Sequence, residues 1–227
     1  MVYYQKTQPA PACLAVEKAK PNGTYRCEGV TRQLDLDFKG KCYLCGIKGL
    51  TSLNIEHLVG HRGNRDAMFS WENLFLSCPH CNGVKNDLRN QVGMILNCTK
   101  IDDRVDLAIR FRINPFPGEN AEIEAIEDSQ AVLNTVRLLA EIFNGDYTEQ
   151  KEIESGYLRE KLLSEIKRFQ KLIEKFAELP EENSNELQKI RQRIQKHLSN
   201  ESAFTAFKRW IIRDDQGLMA EFGSYFS

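Results

Sequence analysis

The sequence predicts an α+β protein in three parts. An N-terminal arm with a short helix fills residues 1–40, a small strand, loop, strand, helix core lies within 41–117, and a mainly α-helical bundle follows in 118–227. Three observations predict this. Two Cys-x-x-Cys pairs, Cys42–Cys45 and Cys78–Cys81, bracket a polar segment that contains short runs of apolar alternation. Beyond Pro117–Gly118 the apolar period lengthens from 2 to about 3.6 residues, the change from strand to helix. The first 40 residues carry Pro9, Pro11 and Pro21 and no long apolar period.

The arm reads as extended chain ending in a short helix around Thr31–Phe38, laid either on the core or on a partner. In the core, Leu53, Ile55 and Leu58 alternate with polar neighbours as a strand does, and Glu56 and His57 lie on that strand. Consecutive strand residues face opposite sides, so the carboxylate and the imidazole are separated. One can bind a cation while the other works on a water. The chain then loops through Gly60, Gly63 and Asn64, returns through Trp71–Leu76, and enters a helix near Cys81–Asn82. Val92–Leu96 and Val105–Phe111 are expected to be short strands joined by a turn at Asp102–Asp103.

After a soft boundary at Pro117–Gly118, Val132, Leu133, Val136, Leu139, Ile142 and Phe143 form one helical stripe, ended by the cap signal Asn144–Gly145. Leu158 to Phe176 form a longer stripe stopped by Pro180, a third runs from Leu187 to Leu198 after Ser184, and Phe204, Phe207, Trp210 and Ile211 begin a fourth. Amphipathic helices with charged outer faces pack on one another and on the core, or turn one stripe to a partner. The third stripe is thin and surrounded by Lys189, Arg191, Arg193, Lys196 and His197, which reads as a solvated face, with a basic surface near DNA as the alternative.

The 227 residues suffice for one large or two small domains. No run of eighteen apolar residues exists, so no membrane span is expected. Net charge is only −1, yet residues 1–100 hold 13 Lys and Arg against 8 Asp and Glu, and the remainder 18 against 24. A basic half joined to an acidic half is what a nucleic-acid-binding part fused to a non-binding part displays.

Four thiols in two equally short spacings point their sulfurs at one centre. Cys42, Cys45, Cys78 and Cys81 therefore read as a closed structural Zn²⁺ site, which two disulfides or four unrelated thiols would not explain. The remaining Cys13, Cys27 and Cys98 read as ordinary free thiols. With seven cysteines in all and no apolar leader, a reducing, cytoplasmic location is expected.

The order of strand, loop, strand and helix, with His57, Asn73 and Asn82, resembles the HNH endonuclease family in its zinc-braced ββα-metal form, over roughly Lys41 to Asp87. The resemblance implies that His57 is the general base for the attacking water. It implies that Glu56 and Asn82 hold a catalytic Mg²⁺ or Mn²⁺ against the scissile phosphate. It also implies that Asn73 ties the loop to the strand so that His57 is aimed. An imidazole titrates near working pH, and a hard cation takes oxygen donors and keeps open positions. The family usually has Asp where Glu56 stands and often Pro where Gly60 stands. His61, in a loop with Arg62 and Arg65, reads as a solvated histidine, with a phosphate contact as the alternative, and His80 as a turn position facing solvent rather than a fifth zinc ligand. Lys85 reads either as a phosphate contact or as a surface lysine.

Outside this core, the proline-bearing arm from Lys6 to Pro11 and the stretches IEHL, WENLFLSCPHCN, ILNCTK, TVRLLAEIFNG and LREKLLSEIKRF resemble the PtuB-type HNH subunits of Septu anti-phage systems; some retron-associated nucleases are similar. That resemblance implies DNA as substrate and a hetero-oligomer with an ABC/SMC-like ATPase of the PtuA type. The chain has no GxxxxGK[ST] loop of its own, so ATP sensing would be the partner's. Two other readings differ in class or substrate. One is a zinc-ribbon nucleic-acid-binding adaptor with degenerate HNH residues, and the other is an HNH nuclease acting on RNA. A stand-alone restriction or homing nuclease shares the chemistry but needs a specificity domain, which the acidic helical half does not resemble.

Overall fold

The computed structural model describes residues 1–180 and 182–226. Helices α1 (Ala12–Ala19) and α2 (Glu28–Asp37) precede a two-stranded antiparallel sheet of β1 (Asn54–His57) and β2 (Leu74–Ser77). The β1–β2 connection holds the one-turn helix α3 (Arg65–Met68) and a 3₁₀ turn at Trp71–Asn73. Helix α4 (Pro79–Asp87) follows β2 directly, giving the strand, loop, strand, helix order expected. It starts earlier than Cys81–Asn82. Pro79 occupies the first turn, where a missing N–H costs nothing, and Cys78 caps it by accepting from the Cys81 N–H.

A second antiparallel hairpin, β3 (Ile109–Ile113) and β4 (Ala121–Ala125), corrects the strand expectation. Val92–Leu96 is not a strand, and the Val105–Phe111 segment becomes one only from Ile109. Pro115, Pro117 and Gly118, whose φ is +83°, form the turn of this hairpin, so the break at 117/118 lies between two paired strands. The helical half comprises α5 (Gln130–Asn144), α6 (Glu149–Glu178), α7 (Ser184–Leu198), α8 (Thr205–Arg213) and α9 (Gln216–Phe222).

One apolar core crosses from the β1–β2 segment into the helices. It includes Leu34, Phe38, Tyr43, Phe75 and Leu76 on one side and Leu139, Phe143, Leu162, Ile166 and Phe207 on the other. Phe207 of α8 stands 5.3 Å from both Phe111 of β3 and Phe143 of α5, edge-on to each. Helix α6, about 45 Å long at 1.5 Å per residue, serves two cores. Leu158, Leu162 and Ile166 join the first, while Phe169 and Leu172 join a second with Ile190, Ile194, Leu198, Ile212 and Phe222.

The arm lies on the core. The Tyr4 N–H donates to Cys98 O at 2.8 Å, and the buried Lys6 ammonium donates to the Leu74 carbonyl at 2.7 Å and to that of Trp71. Burial pushes Lys6 down to about 8. Cys13 and Cys27 are joined in a disulfide, which corrects their reading as free thiols; Cys98 remains a buried thiol, pushed up by burial to about 12. The cysteine count therefore no longer argues for a reducing compartment. Among the described residues no helix is long and apolar enough to cross a membrane.

Two predictions follow from this packing. Phe207→Ala removes a buried aromatic that joins β3 to α5 and should cost about 3–5 kcal/mol. Helix signal and zinc release should then shift together in denaturant, and zinc released in a separate, unshifted transition would contradict a shared core. The second concerns His197, half-buried 5.6 Å from Phe169 with Nδ1 unpartnered. Burial first, then the Lys208 ammonium, depress it to about 4 against the pull of Glu165, with Arg193 and Arg168 adding to the depression. Its contribution is present above the unfolded value near 6.5 and lost as pH falls through about 4. His197→Gln should therefore reduce the stability lost between pH 7 and pH 5, by on the order of 1 kcal/mol after solvent screening. Equal losses in urea unfolding of both proteins would oppose this.

Candidate active site

Four sulfurs define the base of the site. The Sγ atoms of Cys42, Cys45, Cys78 and Cys81 lie within 4.8 Å of one another, all buried. The first pair sits on a tight turn in which Gly46 N–H donates to Cys42 O at 2.9 Å and Gly46 takes φ +76°. The second pair spans the start of α4. A tetrahedral zinc with bonds near 2.3 Å has sulfur-to-sulfur edges of about 3.8 Å, and Cys45 and Cys78 stand 4.0 Å apart. Although burial opposes ionisation, hydrogen bonds from Cys45, Cys78 and Cys81 hold the Cys42 thiol well below its usual range. Burial pushes Cys45 and Cys81 up. A set that supports a thiolate but cannot ionise fully on its own fits a resident divalent cation.

The strand alternation separates Glu56 from His57. Glu56 is turned inward, 7% exposed, and its Oε2 accepts from Lys85 Nζ at 3.2 Å. Its Oε1 is buried beside the Tyr43 hydroxyl, although the two make no hydrogen bond of proper geometry. Burial raises the carboxyl, with the Lys85 ammonium and the Tyr43 hydroxyl lowering it. Lys85 also donates to the His57 carbonyl at 2.7 Å, so it is a bridge between α4 and β1 rather than a free surface lysine. The Asn82 amide, in the first turn of α4, has no hydrogen-bond partner among the described residues. Carboxylate and amide oxygens are donors of the kind a hard cation takes.

His57 is half-buried at the end of β1. Its Nε2 lies 2.9 Å from the Met68 carbonyl. A carbonyl only accepts, so Nε2 carries the ring hydrogen and Nδ1 keeps its lone pair. Burial lowers the basicity of the ring; the Met68 bond opposes this, and His61, Lys85 and Arg26 add to the lowering. Asn73 closes the loop between the strands. Its Oδ1 accepts from Val59 N–H at 2.8 Å, and its Nδ2 donates to Val59 O at 2.8 Å and Ala67 O at 3.1 Å.

Four placements differ from expectation or were not anticipated. His80 does not face solvent. Its side chain is 12% exposed, with Nδ1 2.9 Å from Glu154 Oε2 and Nε2 2.7 Å from the Ile142 carbonyl, so it joins α4 to α5 and α6. Against burial, hydrogen bonds from Lys151, His80 and Gln150 hold Glu154 at about 2. His61 is packed edge-on to His57, with ring centroids 4.7 Å apart. Arg65 is turned away from any substrate toward the carbonyls at the end of α1. Tyr25, whose ring lies 4.6 Å from His57, had no sequence signal beyond the two flanking cysteines.

Residues 42–88 match the family model described as HNH endonuclease. No curated protein and no solved structure matched the chain. Residues 42–88 are thus an HNH endonuclease domain built on a four-cysteine cluster that fits structural zinc.

Cys78→Ser replaces a sulfur that both closes this cluster and caps α4. The variant should lose its zinc and much of its solubility, because structural zinc contributes on the order of 10 kcal/mol to folding in small domains. One zinc per chain by elemental analysis, with an unchanged melting curve, would remove the four-thiolate site.

Proposed function

We propose that this protein is a metal-dependent endonuclease that hydrolyses phosphodiester bonds of DNA. The observation that carries the reading is the His57 hydrogen bond to the Met68 carbonyl, because it leaves Nδ1 as a base on a ring that burial keeps neutral at pH 7. In this reading His57 Nδ1 takes the proton of the attacking water. Asn73 holds the loop backbone on either side of it, keeping the Met68 carbonyl where His57 needs it. Glu56 and Asn82 would hold a divalent cation, Mg²⁺ or Mn²⁺, which when bound polarises the phosphate and offsets charge on the leaving oxygen. Lys85 fixes the Glu56 carboxylate and the strand end together, leaving Oε1 for that cation.

We further propose that the chain works as the nuclease effector of an anti-phage assembly with an ABC/SMC-like ATPase. This rests on the resemblance of its outer stretches to the PtuB-type subunits of Septu systems and on the lack of a phosphate-binding loop of its own. A second reading, a zinc-braced nucleic-acid-binding module without hydrolysis, draws on Lys85, which already supplies Glu56 with a cation.

His57→Ala should reduce plasmid cleavage in Mg²⁺ or Mn²⁺ at least about 100-fold, with zinc content and melting unchanged, for the chain alone or co-purified with an ATPase of the proposed type. A His57→Ala protein that cuts at the wild-type rate would end the general-base assignment. Wild-type protein that binds DNA and cuts neither DNA nor RNA under any of these conditions would favour the binding module.

A further inference from the structure

The disulfide between Cys13 and Cys27 closes a loop that contains α1 and leans on the active site. Arg65 of α3 reaches to the C-terminal end of α1. Its Nε donates to Lys18 O at 2.8 Å, its Nη1 to Pro21 O at 3.4 Å, and its Nη2 to Glu17 O at 3.3 Å and to Lys20 O. A guanidinium placed there satisfies carbonyls that the helix end leaves unpaired and complements its dipole. Lys18 pairs with Asp66 at 2.7 Å. The loop is therefore seated on α3, the element whose Met68 carbonyl holds His57. Within it, Glu17 accepts from the Thr24 N–H at 3.0 Å and the Thr24 hydroxyl from the Arg26 N–H at 3.1 Å, which fixes the backbone leading into Cys27.

Tyr25 and Arg26 leave this loop beside the base. The Tyr25 ring meets His57 edge-on, with planes 73° apart. The Arg26 guanidinium lies 5.6 Å from the Tyr25 ring centre, is exposed, and has no carboxylate partner among the described residues. His61 packs against the same His57 ring. Its Nδ1 accepts from the Gly63 N–H at 3.2 Å, so the ring hydrogen sits on Nε2 and is available to a ligand.

We propose that Arg26 and His61 form a phosphate-binding subsite beside His57, taking a backbone phosphate of the substrate strand, and that the disulfide-closed loop holds Arg26 there. The proposal rests on the nuclease reading for what the phosphate belongs to. An unpaired guanidinium is a forked donor matched to phosphate oxygens. Of the other cations around His57 and its loop, Lys85 is committed to Glu56 and Arg65 to α1, while Arg62, next to His61, is exposed.

The test is binding of a short fluorescein-labelled duplex to the whole protein in Ca²⁺ across a salt series, with steady-state cleavage in Mg²⁺ beside it. Arg26→Ala should lower the slope of log affinity against log salt by about 1, the signature of one lost phosphate contact. It should also raise KM about tenfold, the size of one charge-assisted hydrogen bond, with a smaller effect on kcat. Arg26→Lys should restore the slope while leaving part of the KM increase. The double variant Cys13→Ser, Cys27→Ser should behave like Arg26→Ala. Because Arg26 is exposed, its variants should keep the wild-type melting curve. A wild-type slope and KM in Arg26→Ala would overturn the subsite. Wild-type protein that binds the duplex without cutting it would fail the hydrolase reading instead, with the slope still deciding the subsite.

Discussion

The structure depends on four buried sulfurs gathered into one cluster that fits a structural zinc. They come from a turn at Cys42–Cys45 and a helix start at Cys78–Cys81, and lie within 4.8 Å of one another. What surrounds the cluster is organised to keep those two short elements together. The Tyr43 N–H donates to Leu76 O, tying the turn to β2, which runs straight into the second cysteine pair. From the far end of the chain the Phe204 N–H donates to Gly46 O at 2.9 Å. Gly46 takes φ +76°, the left-handed conformation that favours glycine, while a Cβ there would make only ordinary contact with the Phe204 backbone at 3.4 Å. Beside them the buried Lys41 ammonium, pushed by burial down to about 7, donates to Ser202 O at 2.8 Å. The C-terminal helices are thus seated on the metal knuckle itself.

From this base the site is assembled by backbone geometry. Alternation along β1 places Glu56 in the interior and His57 at the surface, where a main-chain carbonyl from α3 sets its tautomer. Asn73, at the end of the turn before β2, bonds both polar groups of Val59 and so fixes the loop that supplies the carbonyl. Helix α4 carries Asn82 and Lys85 and is itself held from behind, by His80 to Glu154 and Ile142 and by the Tyr147 hydroxyl to Asp87 at 2.9 Å. The helical half therefore sets where α4, with Asn82 and Lys85 on it, lies against β1.

The parts legible in the sequence were those with a short-range signature. The cysteine spacing, the alternation around Glu56–His57, and the stripes of α5, α6, α7 and α8 all follow from local periodicity and capping. What was not legible depends on distant partners. The strand Ala121–Ala125 reads AEIEA, with one large apolar residue, and exists because it pairs with β3 and is held by Asn144, whose side chain bonds both polar groups of Ala121. The proline-rich segment before it has the composition of a linker but forms a hairpin turn. Cys13 and Cys27 could not be paired without knowing that α1 folds back between them. His80 appeared solvent-facing because its spacing within the metal knuckle says nothing about α6, which arrives 74 residues later.

The most direct measurement is stepwise removal of zinc from the purified protein with a thiol-reactive mercurial and a chromogenic chelator, following far-UV circular dichroism and DNA cleavage on the same samples. If the four sulfurs carry the structure, one zinc is released per chain, and helix content and cleavage fall with it in proportion. Protein that releases its zinc yet remains folded and cuts DNA at an undiminished rate would contradict that dependence.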